Sequence, residues 1–161
     1  MLTQPLLDQL SQLKLGGFRQ ALEAQLHNPD YAALSFEERL GLLLDVELTR
    51  RANNLLQRRI RAAKFPLLAT MEDLDLSPQR GLKRAEVLQL AHGEWVGRRL
   101  NLLILGPTGA GKSYLSAALG RAACQANYAV LYVRTSRLLQ GLELAHADGS
   151  YSQIILSSLV L

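Results

Sequence analysis

Leucines recur at helical spacing in the first part of the chain. Leu6, Leu10 and Leu13 are four and three residues apart, which places them on one face of a helix. Gly16-Gly17 is expected to end that helix. A shorter helix is expected from Phe18 to Leu26, before a turn at Asn28-Pro29-Asp30. The pattern predicts an all-helical N-terminal region.

A long helix is predicted next. Ser35 is followed three residues later by Glu38, the spacing of a capping box. No proline occurs until Pro66, so the helix can run from Phe36 to about Lys64. Because the helix would be so long, we expect a kink or break near Asn53-Asn54. We therefore assign residues 1–64 to a helical N-terminal domain, a candidate for DNA binding and assembly.

The pattern changes twice after this helix. Residues 65–80 hold two prolines and an acidic cluster, which predicts a linker, and a helix is expected from Lys83 to Ala91. The apolar runs Asn101–Leu105 and Ala129–Val133 are typical of buried strands. Helices are expected from Lys112 to Ala126 and from Ser136 to Ala147. Strand–helix–strand–helix order predicts an α/β fold with a parallel sheet in residues 100–161, and residues 65–99 lead into it.

A phosphate-binding motif follows the first predicted strand. The sequence GPTGAGKS fits the pattern G-x-x-x-x-G-K-S, with a strand before it and a helix after it. The alternative is a glycine-rich turn that joins a strand to a helix. The candidate nucleotide-binding residues are Gly106, Pro107, Thr108, Gly109, Ala110, Gly111, Lys112, Ser113 and Tyr114.

The chemistry of nucleotide binding explains these residue types. Glycines let the backbone turn tightly and bring N–H groups close to phosphate. The start of the following helix also favours negative charge. Lys112 supplies a positive charge for the β- and γ-phosphates, and the Ser113 hydroxyl supplies an oxygen to Mg²⁺. The sequence therefore predicts a nucleoside triphosphate bound with Mg²⁺.

Hydrolysis requires an acidic residue at the end of another strand. After Lys112 the acidic residues are Glu143, inside a predicted helix, and Asp148, in a predicted turn. The final apolar run, 154–161, is strand-like but carries no acid. Nucleotide binding is predicted, whereas catalysis of hydrolysis is not assigned to any residue.

A basic segment forms a second candidate site. Residues 48–64 contain no acid, and on a helix 50, 51, 58 and 61 share one broad face. Such a face can neutralise DNA phosphates, although a solvated helix face is the alternative. The DNA-binding candidates are Arg50, Arg51, Arg58, Arg59, Arg61 and Lys64.

Composition limits the classes of protein. Hydrophobic residues make up 48% and charged residues 20%, so the chain is expected to fold, and its net charge of +4 permits an acidic partner. The single cysteine, Cys124, excludes an internal disulfide and is expected to be a buried thiol. The N-terminus lacks the pattern of a secretory signal, and no run approaches the length of a membrane span. We expect a soluble, cytoplasmic protein with no membrane association.

Four stretches carry a resemblance to known proteins: Ala32–Leu40 with Leu42–Asp45 behind it, Arg80-Gly81-Leu82, Asn101–Ser113 and Ala147–Tyr151. In these stretches the chain resembles the IstB-like family, the ATP-binding helper proteins of bacterial insertion-sequence transposition, which are similar to the helicase loader DnaC. The resemblance implies a P-loop NTPase module of the AAA+ type that binds ATP and Mg²⁺ at Gly106–Ser113. It also implies ATP-dependent self-assembly on double-stranded DNA and a transposase partner. The alternatives are a helicase loader, a non-functional remnant and, from the P-loop alone, a small-molecule kinase.

The sequence departs from the family after Tyr151. Family members continue into a strand with paired acids, the Walker B motif, and then into sensor residues, an arginine finger and a helical lid. The resemblance therefore implies a sheet that is incomplete at its C-terminal end, without the residues for hydrolysis. An incomplete sheet would expose an apolar face, so low solubility is expected.

Overall fold

The computed structural model describes residues 3–77 and 81–152. The chain divides into two compact units, Met1–Leu55 and Leu56–Leu161. Its described residues form seven α-helices and a 3-10 helix at Pro29–Ala33. The α-helices are α1 (Thr3–Gln12), α2 (Gly16–His27), α3 (Phe36–Ala63), α4 (Arg84–Ala91), α5 (Glu94–Gly97), α6 (Lys112–Gln125) and α7 (Thr135–Asp148).

Helix α2 begins at the glycine pair and not after it. The carboxylate of Glu47, on α3, accepts hydrogen bonds from the backbone N–H of Gly17 at 2.7 Å and of Phe18 at 3.2 Å. These amides lie in the first turn of α2, where no helix carbonyl can reach them. A cap supplied by another helix therefore starts α2 two residues earlier than the sequence predicted.

The predicted capping box begins α3. The backbone N–H of Ser35 donates to the Glu38 carboxylate at 2.8 Å, and the N–H of Glu38 donates to the Ser35 hydroxyl at 3.2 Å. The helix then runs unbroken to Ala63, so the predicted break near Asn53-Asn54 is wrong. Neither asparagine removes a backbone donor, so a long helix can continue through them.

Helix α6 forms the centre of the core of the second unit. Leu115 and Leu119 pack with Val87 of α4, and Ala117 and Ala118 pack with Ala69. Ala69 belongs to the segment predicted as a linker, which is non-helical over residues 65–77 yet contributes to the core. The predicted burial of Cys124 is confirmed, since its side chain is fully buried.

The predicted sheet is not present among the described residues, which contain no β-strand. The segments Asn101–Leu105 and Ala129–Val133 are non-helical, but no backbone hydrogen bond joins them within the described part of the chain. Instead, residues of both segments line an apolar cavity of about 530 Å³. A strand needs a neighbour to pair its N–H and C=O groups, and neither segment provides one for the other.

Both segments nevertheless keep the alternating burial of strands. Leu102 and Ile104 pack on the core, whereas Leu103 and Leu105 are 81% and 88% exposed. In the second segment, residues 130 and 132 are half-buried and residues 129, 131 and 133 are exposed. Period-two alternation is the pattern of a sheet with one face covered. The strand-like run at 154–161 lies outside the described residues.

Hydropathy along the helices gives no candidate for a membrane span. In the described part of the chain, no helix combines the length and the apolar character needed to cross a bilayer.

Candidate nucleotide-binding site

Two glycines shape the loop that carries the phosphate-binding motif. Gly109 has φ 84° and Gly111 has φ 88°, values that side chains with a Cβ rarely adopt. Gly111 is also the N-cap of α6, so its conformation turns the exposed loop directly into the helix. The predicted start of the helix at Lys112 is confirmed.

The side chain of Lys112 folds back over the loop. Its Nζ donates to the carbonyl oxygens of Gly106 at 2.8 Å and Pro107 at 2.6 Å. A lysine ammonium has three N–H groups, so one is not used by these two bonds. The positive charge of the motif is therefore held within the loop itself.

The N-terminus of α6 offers further donors. The backbone N–H groups of its first turn, which includes Lys112, Ser113 and Tyr114, have no partner within the helix. No side chain caps this end, and no acidic residue lies in the first turn. The helix dipole adds partial positive charge there. Together with the ammonium, this end of α6 can bind an anion such as a phosphate group.

Ser113 and Tyr114 differ in their surroundings. Ser113 is exposed, so its hydroxyl is accessible to a metal ion carried by a nucleotide. Tyr114 is half-buried and packs against Ala69, Ala117 and Ala118. Its contacts place it in the core that supports the loop.

The two acidic residues after Lys112 both lie on α7. Glu143 is inside the helix, as predicted, and Asp148 is its last residue. The Asp148 carboxylate accepts hydrogen bonds from the hydroxyl and the backbone N–H of Ser150, at 2.6 and 2.9 Å. These bonds lower the pKa of Asp148, and the bond from the hydroxyl has the larger effect. Glu143 therefore lies within a helix and Asp148 stabilises the turn at its C-terminus, and neither residue follows a strand.

The six basic candidates, five on α3 and Lys64 directly after it, fall in both compact units. In the first unit, Glu47 pairs with Arg51 at 2.7 Å and Arg50 at 3.6 Å, so one carboxylate offsets part of two positive charges. In the second unit, Arg59 donates to the Asn127 side chain at 2.7 Å. The second unit also holds Arg58, Arg61 and Lys64, and all three are exposed. DNA binding by these six residues, with residues 50, 51, 58 and 61 on one broad face, stays a prediction.

Sequence reasoning did not place two basic residues, Arg134 and Arg137, beside Lys64. Arg134 and Arg137 line one cavity together with Lys64. Arg134 follows the segment Ala129–Val133, and its position at the end of a predicted strand was the one available signal. Arg137 gave no signal, because it is an isolated charge on a predicted helix.

A family model described as IstB-like ATP binding protein matches residues 8–161. "Insertion sequence IS1162 putative ATP-binding protein" from Pseudomonas fluorescens is 47% identical over 156 residues, covering 96% of this chain and 68% of that protein. "Putative insertion sequence ATP-binding protein y4pL" from Sinorhizobium fredii is 42% identical over 154 residues, covering 96% and 63%.

A third relative extends the range of organisms. "Putative ATP-binding protein Rv3427c in insertion sequence" from Mycobacterium tuberculosis is 36% identical over 146 residues, covering 91% of this chain and 58% of that protein. The chain thus spans about three fifths to two thirds of the length of these relatives. Because the family model covers nearly the whole chain and a close relative shares 47% of its residues, the chain belongs to the IstB-like ATP-binding protein family.

Proposed function

We propose that this chain binds ATP with Mg²⁺ through Gly106–Ser113. The loop amides and the first turn of α6 hold the phosphates, Lys112 contacts the β- and γ-phosphates, and the Ser113 hydroxyl ligates Mg²⁺. Tyr114 supports the loop from the core side. The preference for ATP over GTP rests on the family, since no base-reading motif is recognised in the sequence.

One observation carries the proposal. The Lys112 ammonium, 2.8 and 2.6 Å from two loop carbonyls, lies at the start of a helix that has neither a side-chain cap nor an acid in its first turn. A glycine-rich turn that merely joined a strand to a helix would not need a lysine folded over its own carbonyls. A phosphate group can accept from both the ammonium and the open amides.

We further propose that the chain acts as an ATP-binding helper of insertion-sequence transposition. The names of its relatives refer to insertion sequences, which favours this role over helicase loading. Duplex DNA, a transposase and further copies of the chain are the proposed partners. The alternating burial of the segments 101–105 and 129–133 supports their assignment to strands of an AAA+-type parallel sheet once further strands pair with them. Hydrolysis is not part of the proposal.

Binding of a fluorescent ATP analogue to the chain tests the site. Lys112→Ala removes a charge-assisted contact worth roughly 1.5–3 kcal/mol, so we expect at least about a tenfold loss of affinity. Lys83→Ala is the matched control, because Lys83 is also a lysine of the second unit and its ion pair with Glu86 is exposed. Ser113→Ala should lose most of the gain in affinity that Mg²⁺ provides.

Equal affinity of the Lys112→Ala and Lys83→Ala variants would contradict the site. Displacement of the analogue by GTP as readily as by ATP would contradict the preference for ATP while leaving the phosphate site intact. If the unchanged chain binds no analogue, it is a remnant without the proposed function.

A further inference from the structure

Among the described residues, a cavity in the second unit is lined by three cations and no acid. Lys64, Arg134 and Arg137 surround a space of about 470 Å³. Pro66 also lines it, as do Tyr132 and two apolar side chains of Ala129–Val133, which we call the second extended segment. The three basic residues are exposed. We call this cavity the cationic cleft. None of the residues that line it belongs to the P-loop.

The positive charge extends beyond the cationic cleft. Lys64 also lines an adjoining cavity of about 190 Å³, where the charged residues are Arg61, Lys64 and Arg121. The cavity beside α4 and α5 is not cationic in this way, since its charged lining residues are Glu86, Glu94 and Arg98. The second unit therefore concentrates five cations around two cavities whose linings contain no acid.

The backbone on both sides of Lys64 is fixed. Lys64 has φ 56° and directly follows Ala63, which is fully buried. The Ala63 carbonyl accepts a hydrogen bond from the N–H of Tyr132 at 2.8 Å, and the Tyr132 ring meets Phe65 edge-on at 6.4 Å. These contacts tie the end of α3 to the second extended segment. The fold thus holds Lys64 beside Arg134 and Arg137.

Two of the cations also lie at the partly positive N-terminus of a helix. Arg134 is the N-cap of α7 and Arg137 lies in its first turn, where no acidic residue occurs. The helix dipole makes this end partly positive, so basic side chains are unfavourable there unless an anion approaches. Three like charges around one cavity add to that cost. An anionic ligand would relieve both.

We propose that Lys64, Arg134 and Arg137 bind the phosphate backbone of duplex DNA. The inference rests on the proposed function and names the surface through which the chain would hold DNA. An exposed, multiply cationic cleft without a glycine-rich loop suits a chain of phosphodiesters better than a single nucleotide. Contact with phosphates predicts affinity that depends on salt and not on base sequence.

Fluorescence anisotropy with a fluorescein-labelled duplex of about 20 base pairs tests the proposal. The salt is varied from about 50 to 200 mM with saturating Mg-ATP present throughout, since each phosphate contact contributes about 0.9 to the slope of log affinity against log salt. Arg134→Gln with Arg137→Gln should lower that slope by about 2. The change should be the same for duplexes of different sequence.

Arg84→Gln with Arg98→Gln is the matched control. Both double variants lower the net charge from +4 to +2, and all four arginines are exposed. A third variant, Lys64→Asn, should lower the slope by about 1. Asparagine tolerates the left-handed backbone, so this variant should fold even where another substitution would not.

The assignment of DNA binding to the cationic cleft is overturned if the Arg134→Gln, Arg137→Gln variant keeps the salt slope of the unchanged chain. It is equally overturned if the slope of that variant falls no more than the slope of the control. It is also overturned if inorganic pyrophosphate binds there and the duplex does not. If the unchanged chain binds no duplex while ATP still raises its melting temperature, the DNA-binding part of the proposed function fails as well. Duplex binding that is lost only in variants of Arg50 and Arg51 would refute the cleft and leave DNA binding itself standing.

Discussion

Gly120 lets an aromatic ring approach helix α6. A Cβ added at Gly120 would lie 2.7 Å from Cε1 and 3.0 Å from Cζ of Phe65, well inside the normal contact distance of about 3.5–4.0 Å. Phe65 has little freedom to move, because it packs on the cluster of Ala69, Ala117 and Ala118 and meets Tyr132 edge-on. Gly120→Ala should therefore overpack the core of the second unit.

The change in the free energy of unfolding follows from two opposing effects. Alanine in place of glycine in a helix stabilises by about 1 kcal/mol, whereas overpacking a core costs about 1–3 kcal/mol. The helix α7 provides a matched control, since a Cβ at Gly141 would meet nothing within 4 Å. Gly141→Ala should gain the stabilisation alone. The free energies of unfolding of the two variants should then differ by about 1–3 kcal/mol, with Gly120→Ala the less stable.

Urea denaturation followed by tryptophan fluorescence measures this difference. Trp95 is the single tryptophan, and it lies in the second unit, where its Nε1 donates to the Leu90 carbonyl at 2.9 Å. With a slope of about 2 kcal/mol per M, the two midpoints should be separated by on the order of 1 M. A midpoint for Gly120→Ala as high as that of Gly141→Ala would refute the packing of Phe65 on α6. If the packing is correct, Phe65→Leu should reduce the cost of Gly120→Ala.

Three further predictions concern stability and reactivity. The hydrogen bond from Arg51, and after it those from the α2 amides, holds the pKa of Glu47 below its usual range. The ionised carboxylate therefore stabilises the fold fully above about pH 4.3, and this stabilisation is lost as the pH falls through the lowered pKa of the folded state. Glu47→Gln should accordingly flatten the loss of helix signal on acidification. A Cβ at Gly17 would lie 2.9 Å from Glu47 Oε2 and 3.1 Å from its Cα, so Gly17→Ala should lower the thermal midpoint, whereas Gly41→Ala, with nothing within 4 Å, should raise it. Burial raises the pKa of the Cys124 thiol, so a disulfide reagent should label it at least tenfold faster in urea than in buffer; equal rates would show that the thiol is not buried.

Short-range sequence patterns predicted where helices α3 and α6 begin. Ser35 and Glu38 form the capping box that their spacing predicted, and α6 begins at Lys112 directly after the glycine loop. In both places the residues that set the structure are neighbours along the chain. Their backbone preferences and short-range hydrogen bonds are sufficient to place a helix start.

Long-range contacts account for what the sequence missed. The cap of α2 comes from Glu47, 30 residues beyond the amide of Gly17, so no local pattern shows it. The cationic cleft depends on the bond between Ala63 and Tyr132, which joins distant parts of the chain. The prediction of strands was not met because the apolar pattern is local, whereas a strand forms only where a partner strand pairs with its N–H and C=O groups.

Thermal melting with and without Mg-ATP tests the central claim most directly. A ligand that binds only the folded state at about 100 times its dissociation constant stabilises by about 2.7 kcal/mol, which corresponds to about 5–10 °C for a chain of this size. The proposed site predicts that shift for the unchanged chain and for Lys83→Ala, with little or none for Lys112→Ala. An equal shift in Lys112→Ala would place nucleotide binding elsewhere, and the absence of any shift in the unchanged chain would contradict ATP binding by this polypeptide.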